Sequence, residues 1–171
     1  MTLAEFNALS ASAAQAALHD CCGATLWAKQ IAAQRPFDNT DALCEAADTA
    51  WRTMDRADIL EAFRCHPQIG QKADTGSQSH RQWSEGEQTG ARIASEGVKT
   101  RLDLQNHAYF EKFGYIFIVC ASGKSADEML ALLEQRLQND DATELPVAAE
   151  QQRLIMRLRL EKLFGGERVS R

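Results

Sequence analysis

The chain has 171 residues, 44% of them apolar and 25% charged, with a formal net charge of −5 at pH 7. That length and composition suit one globular domain with a core of its own and exclude a disordered chain. The acidic balance argues against a nucleic-acid or anionic-membrane surface, which needs clustered Lys and Arg, so a small anion would have to be held by one or two local arginines.

Helix signals dominate from the start. Thr2 and Glu5 have capping-box spacing for a short first helix. Ser12 is positioned to cap SAAQAALHDCC, which Gly23 closes. ATLWAKQIAAQ runs to the helix stop at Arg35-Pro36, Thr40 opens DALCEAADTAWRTM, and Asp55 opens RADILEAFRC, where Ile59, Leu60 and Phe63 repeat at helical spacing. Next comes HPQIG, with Pro67 pushing His66 out of the helical region. A polar loop is expected from Gln68 to Trp83, and unstructured stretches of that length tend to be functional. Ser84 is expected to open SEGEQTGARIAS, and Gly114 to close GVKTRLDLQNHAYFEKF. YIFIVCA has the β-branched and aromatic bias of an extended segment, but it has no second strand to pair with. SADEMLALLEQRLQN places Met129, Leu130, Leu133 and Leu137 on one face. TELPVAAEQQRLIMRLRLEKLF is apolar on more than one face, as a central helix is. The fold class is therefore all-α: a single domain over residues 1–171, with about seven to nine helices and one short extended apolar segment.

The longest apolar run, Tyr115 to Ala121, is too short to span a bilayer. MTLAEFNALS lacks the basic and apolar stretches of a signal peptide, so the expected location is cytoplasmic. Cys21, Cys22, Cys44, Cys65 and Cys120 are odd in number and form no C-x-x-C pair; they read as reduced and mostly core. No His/Cys pairs have zinc-ligand spacing, so no metal is expected.

Several residues carry candidate chemistry, and each has a plainer reading. His66 can simply satisfy the last carbonyls of its helix, or it can be a general acid/base held by Pro67 beside a pocket-lining loop. Ser84 and Glu87 fit a capping box, which leaves Gln88 unexplained; the same helix N-terminus would also suit an anion. Arg157 has Arg153 and Glu161 for helical neighbours, whereas Arg159 has Ile155, Met156 and Leu163. Arg159 is thus the arginine expected to be buried and to seek a planar, bidentate partner. FGYIFIVCASG reads first as core, yet an extended backbone at a pocket edge needs hydrogen-bond partners, which a urea-like ligand could supply. Cys65 and His66 are sequence neighbours and so are poorly placed to face each other as nucleophile and base. His19, His80 and His107 read as surface or packing residues.

Taken in order, HPQIG, the S-x-x-E-Q stretch at Ser84–Gln88, LQNHAYFEKFGYIFIVCASGKS, QRLQND and LRLEKLF resemble the pattern of the OHCU decarboxylases. OHCU is 2-oxo-4-hydroxy-4-carboxy-5-ureidoimidazoline, a late intermediate of urate degradation. The resemblance runs from Leu3 to Phe164, and its specificity lies in the ordered set rather than in any one motif. It implies a cofactor-free, all-helical enzyme that converts OHCU to (S)-allantoin and carbon dioxide, as a homodimer. It implies catalytic roles for His66 and Glu87, substrate binding by Pro67, Ser84, Gln88 and Arg159, and main-chain contacts from the Tyr115–Cys120 region, Ile116 and Ile118 among them. Some members carry proline at the position of Ile116. The ending Val169-Ser170-Arg171 is not the peroxisomal tripeptide of some eukaryotic members, which favours a bacterial, cytoplasmic protein. Two other readings stay open on the residues alone: a non-catalytic helical module that binds a metabolite or partner, and another cofactor-free lyase or hydrolase of ureides.

Overall fold

Short polar side chains decide where the helices begin in the computed structural model, which describes residues 1–69, 78–87 and 94–165. α1 (Leu3–Ala8) opens on the expected capping box: the Thr2 hydroxyl accepts the Glu5 N–H at 3.2 Å and the Glu5 carboxylate accepts the Thr2 N–H at 2.7 Å. α2 (Ala11–Cys22) is capped by Ser10, whose Oγ accepts the Ala13 N–H at 3.2 Å; the expected cap, Ser12, lies inside the helix. α3 covers Thr25–Ala33. α4 (Thr40–Arg52) is capped by Asn39 instead of Thr40, in keeping with asparagine's better ranking at that position. α5 (Arg56–Arg64) begins after Asp55, which accepts the Asp58 N–H at 3.0 Å.

The loop expected over Gln68–Trp83 needs correction, because α6 already runs from Gln78 to Glu87. Residues Gln78 to Trp83 contain no glycine or proline, and Gln and Arg are good helix formers, so the polar composition concealed a helix. α7 (Glu96–Phe113) ends on Gly114, whose φ of 76° is the left-handed conformation that stops a helix at little cost to glycine. α8 (Ala126–Arg136) opens on a Ser125–Glu128 capping box, and α9 (Asp141–Leu163) carries Pro146 within it. These nine helices are the regular elements among the described residues, and no strand occurs among them. The all-α expectation therefore holds. Tyr115–Ala121 is irregular and pairs with no strand.

The chain divides into two compact units, one of Met1–Ala62 with the segment from Arg153 onward, the other of Phe63–Gln152. In the first, Phe6, Leu18, Trp27, Ile31 and Leu43 are wholly buried, and the Trp27 indole donates to the Ala47 carbonyl at 2.9 Å. In the second, Phe63, Tyr109, Phe113, Tyr115 and Phe117 form an aromatic cluster with ring centroids 4.6–6.0 Å apart. Beside it lies a buried ionic cluster. The Glu144 carboxylate, 0% exposed, accepts from Arg136 Nε at 2.7 Å, from Asn139 Nδ2 at 2.7 Å and from the Tyr109 hydroxyl. Arg136 Nη1 donates to the Ile118 carbonyl at 2.7 Å, and its guanidinium lies 4.6 Å from the Phe117 ring centroid. Burial, reinforced by the bond to Glu144, pushes the Tyr109 phenol well above its ordinary range. Four of the cysteines are buried and Cys65 is half-buried, all as free thiols, as expected. No helix among the described residues is long and apolar enough to cross a membrane.

Removing one partner of a buried ion pair leaves an uncompensated charge. Arg136→Met is therefore expected to destabilise the protein by about 3–5 kcal/mol, read from urea unfolding. A loss below about 1 kcal/mol would assign the pair the weight of a surface contact.

Candidate active site

α5 ends where HPQI begins. The His66 N–H donates to the Phe63 carbonyl at 3.1 Å, a tight closing turn, and Pro67 has no N–H with which to continue the helix. His66 is half-buried, with Nε2 shielded from solvent. Ile69 is buried, and its carbonyl accepts from Asn106 Nδ2 at 3.3 Å.

α6 reverses the usual pattern of a surface helix. Arg81, Gln82, Glu85 and Gly86 face solvent, while Ser84 and Glu87, one turn apart, are buried at 3% and 8% exposure. A globular helix ordinarily turns an apolar stripe inward; here a hydroxyl and a carboxyl occupy that place. Ser84 lies inside the helix, so the capping box expected of Ser84 and Glu87 does not form, and the anion site expected at a helix start there goes with it. The plain reading of Glu87 as a cap is thereby removed. A buried carboxyl is an unusual occupant of an inward helical face, because burying it costs stability unless it is partnered. Gln88 lies outside the described residues.

In the irregular segment, Ile116 is half-buried and Phe117, Ile118 and Val119 are buried. Part of its backbone is already engaged: the Ile118 carbonyl accepts from Arg136, the Cys120 N–H donates to Gln151 at 3.0 Å, and the Cys120 carbonyl accepts from Lys124 Nζ at 2.7 Å. Among the described residues no hydrogen bond reaches the backbone of Ile116, Phe117 or Val119, or the Ile118 N–H. Among the described residues these groups therefore have no hydrogen-bond partner, in a mostly buried stretch of chain.

The two arginines separate as their helical neighbours predict. The Arg157 guanidinium, 23% exposed, meets Asp48 at 3.2 Å, and Arg153 reaches the same carboxylate at 3.1 Å. Arg159 is buried at 1% exposure, with Nη1 donating to the Asp20 carbonyl at 3.5 Å. Nearby, burial pushes the Cys44 thiol up to about 11, against the opposing charge of Arg157. His66, Pro67, Ser84, Glu87, Ile116 and Ile118 belong to the Phe63–Gln152 unit, and Arg159 belongs to the other. Among the described residues no three His, Cys, Asp or Glu side chains cluster as a metal site requires. Sequence reasoning passed over Asn106, Arg136 and Glu144. The available signal for Asn106 was a polar residue interrupting the stripe Leu102, Tyr109, Phe113; Arg136 and Glu144 gave none, since their pairing is tertiary.

Comparison with known proteins places these features in context. The profile of a family described as OHCU decarboxylase matches residues 7–161. The chain is 38% identical over 148 residues to the uric acid degradation bifunctional protein TTL of Arabidopsis thaliana, covering 85% of this chain and 45% of that one. It therefore spans under half of that relative. It is 28% identical over 142 residues to the 2-oxo-4-hydroxy-4-carboxy-5-ureidoimidazoline decarboxylase of Haloferax volcanii, covering 82% of each chain. It is 30% identical over 131 residues to the decarboxylase of the same description from Amia calva, covering 76% of this chain and 75% of that one. A crystal structure of OHCU decarboxylase in the presence of (S)-allantoin has a TM-score of 0.75 at 35% identity, covering 85% of this chain and 95% of the other.

Gly86 offers a check on α6 itself, since a Cβ there would meet nothing within 4 Å. Gly86→Ala is expected to stabilise the protein by roughly 0.5–1 kcal/mol, measured as a rise in the thermal midpoint. A destabilised variant would contradict a helix through this position.

Proposed function

The chain belongs to the OHCU decarboxylase family, and we propose that it removes carbon dioxide from OHCU to give (S)-allantoin in urate degradation. The observation that carries the reading to particular residues is the inward polar face of α6, Ser84 and Glu87, in the same compact unit as the His66 turn. The remaining length of the bifunctional plant relative lies beyond what this chain matches, so no second activity is proposed.

The chemistry asks little of a cofactor. Breaking the bond from C4 to the carboxylate leaves an electron pair on C4, and the adjacent C5=N bond of the substrate accepts it. As C4 becomes a carbonyl, the 4-hydroxyl loses a proton, while C5 and the ring nitrogen each gain one. Each turnover thus takes up one proton net and releases one carbon dioxide. The protein's part is orientation and stereospecific proton transfer. In this proposal His66 takes the hydroxyl proton and Glu87 governs the proton added at C5, which sets the (S) configuration. Urea-like edges of the substrate would bind the open backbone groups at Ile116 and the Ile118 N–H, with Pro67 and Ser84 lining the ring. From the resemblance, Gln88 and Arg159 grip the ureido and carbonyl edges, and the enzyme is a cytoplasmic homodimer.

The test generates OHCU in situ, follows its loss by ultraviolet absorbance and follows the product by circular dichroism. Because OHCU also decays spontaneously, catalysis is read from rate and stereochemistry together. His66→Ala is expected to fold normally and to lose about 10²–10⁴ in rate. Glu87→Gln, nearly isosteric, should remain stable yet be slow and less stereoselective. Wild-type rate and pure (S) product from either variant would remove that residue from the chemistry. A wild-type protein that binds ureides but leaves OHCU at its spontaneous rate would favour a non-catalytic module.

A further inference from the structure

The buried stripe of α7 reads Leu102, Asn106, Tyr109, Phe113. The carboxamide in this stripe is 2% exposed, and its Oδ1 is buried with no hydrogen-bond donor among the described residues. A leucine would fill the same space without an unmet acceptor, so the asparagine is not explained by packing. What it does hold is chain: Nδ2 donates to the carbonyl of Ile69. That carbonyl lies just beyond His66-Pro67-Gln68, while the His66 N–H is tied to Phe63 at the other end. Pro67 fixes the backbone between the two ties. The imidazole is thus carried on a short span with one anchor in α5 and the other in α7.

We infer that Asn106 is a positioning residue: its bond to Ile69 sets the His66–Ile69 turn and so the aim of the imidazole. This rests on the acid/base role proposed for His66. A proton-transferring group displaced by about 1 Å loses on the order of a hundredfold in rate, so one bond to the turn has leverage on the reaction without touching substrate.

The experiment assays wild type, Asn106→Leu and Asn106→Asp with OHCU generated in situ across a range of pH, with a thermal midpoint for each. Asn106→Leu removes the donor together with the unmet acceptor. Its midpoint is expected to stay within about 5 °C of wild type, while kcat falls about tenfold to a hundredfold and KM changes little. Asn106→Asp keeps the shape but can donate to the Ile69 carbonyl only when protonated. Its rate relative to wild type at the same pH should therefore fall as pH rises through that carboxyl's ionisation and recover at the acid end. An unchanged kcat in Asn106→Leu overturns the inference, as does a flat Asn106→Asp ratio; should Asn106→Leu misfold, the Asn106→Asp profile decides. A wild-type chain that leaves OHCU at its spontaneous rate overturns the proposed function and this inference with it, whereas an active wild type with indifferent Asn106 variants sinks the inference alone.

Discussion

Glu144 has no exposed surface, and a lone carboxylate in that position would weigh heavily against folding. Arg136, Tyr109 and Asn139 all donate to it, and Arg136 reaches further, to the carbonyl of Ile118 and the face of Phe117. One guanidinium therefore ties α7, α8 and α9 to the irregular segment Tyr115–Ala121. That segment needs the tie. It has no ladder to hold its path, so its buried backbone groups take partners from side chains and from the Lys124 N–H, beside the packing of Tyr115 and Phe117. Bonds to Ile118, Cys120 and Ala121 hold the segment, and among the described residues none reaches the backbone of Ile116, Phe117 or Val119. The ion pair thus takes up the Ile118 carbonyl and holds the segment at that residue.

The same unit turns other polar groups inward at some cost. Ser84 and Glu87 occupy the face of α6 that would ordinarily be apolar, and Asn106 interrupts the apolar stripe of α7. Each breaks the local rule that a buried helical face should be hydrophobic. Such breaks are expected where a structure serves chemistry rather than stability. Arg35 shows the contrast: its guanidinium binds the Phe6 and Leu9 carbonyls at 2.9 and 2.7 Å and lies over the Phe6 ring, which is the work of a structural arginine.

Much of the fold was legible in the sequence where the signal was local. Thr2 with Glu5, and glycines at positions 23 and 114, marked helix ends through capping and the left-handed conformation, both written in a few adjacent residues. Caps slipped by a residue or two at Ser10 and Asn39 because two cap-competent side chains stand close together there, and the difference between them is small. α6 was not legible, because its inward face is polar and so gives no apolar periodicity; that same property makes it a candidate site. The split between Arg157 and Arg159 could be read in advance, since two residues turn about 200° around a helix and their neighbours differ in kind. Arg136 and Glu144 could not, since their bond joins two helices across a break. The catalytic assignments of His66 and Glu87 came from the ordered family pattern, not from spacing.

A substrate that carries its own electron sink changes what the protein must supply. On the proposed function, the scaffold would have only to fix proton-transferring groups and orient the substrate. Such groups need rigid support more than they need strong binding. A helix end stiffened by proline, a buried carboxyl on a helix face and a backbone segment clamped by an ion pair are three ways to obtain it from side chains alone. On the proposed function, the inward polar residues would serve the placement of protons, and fixed placement is what a closely packed helical unit provides.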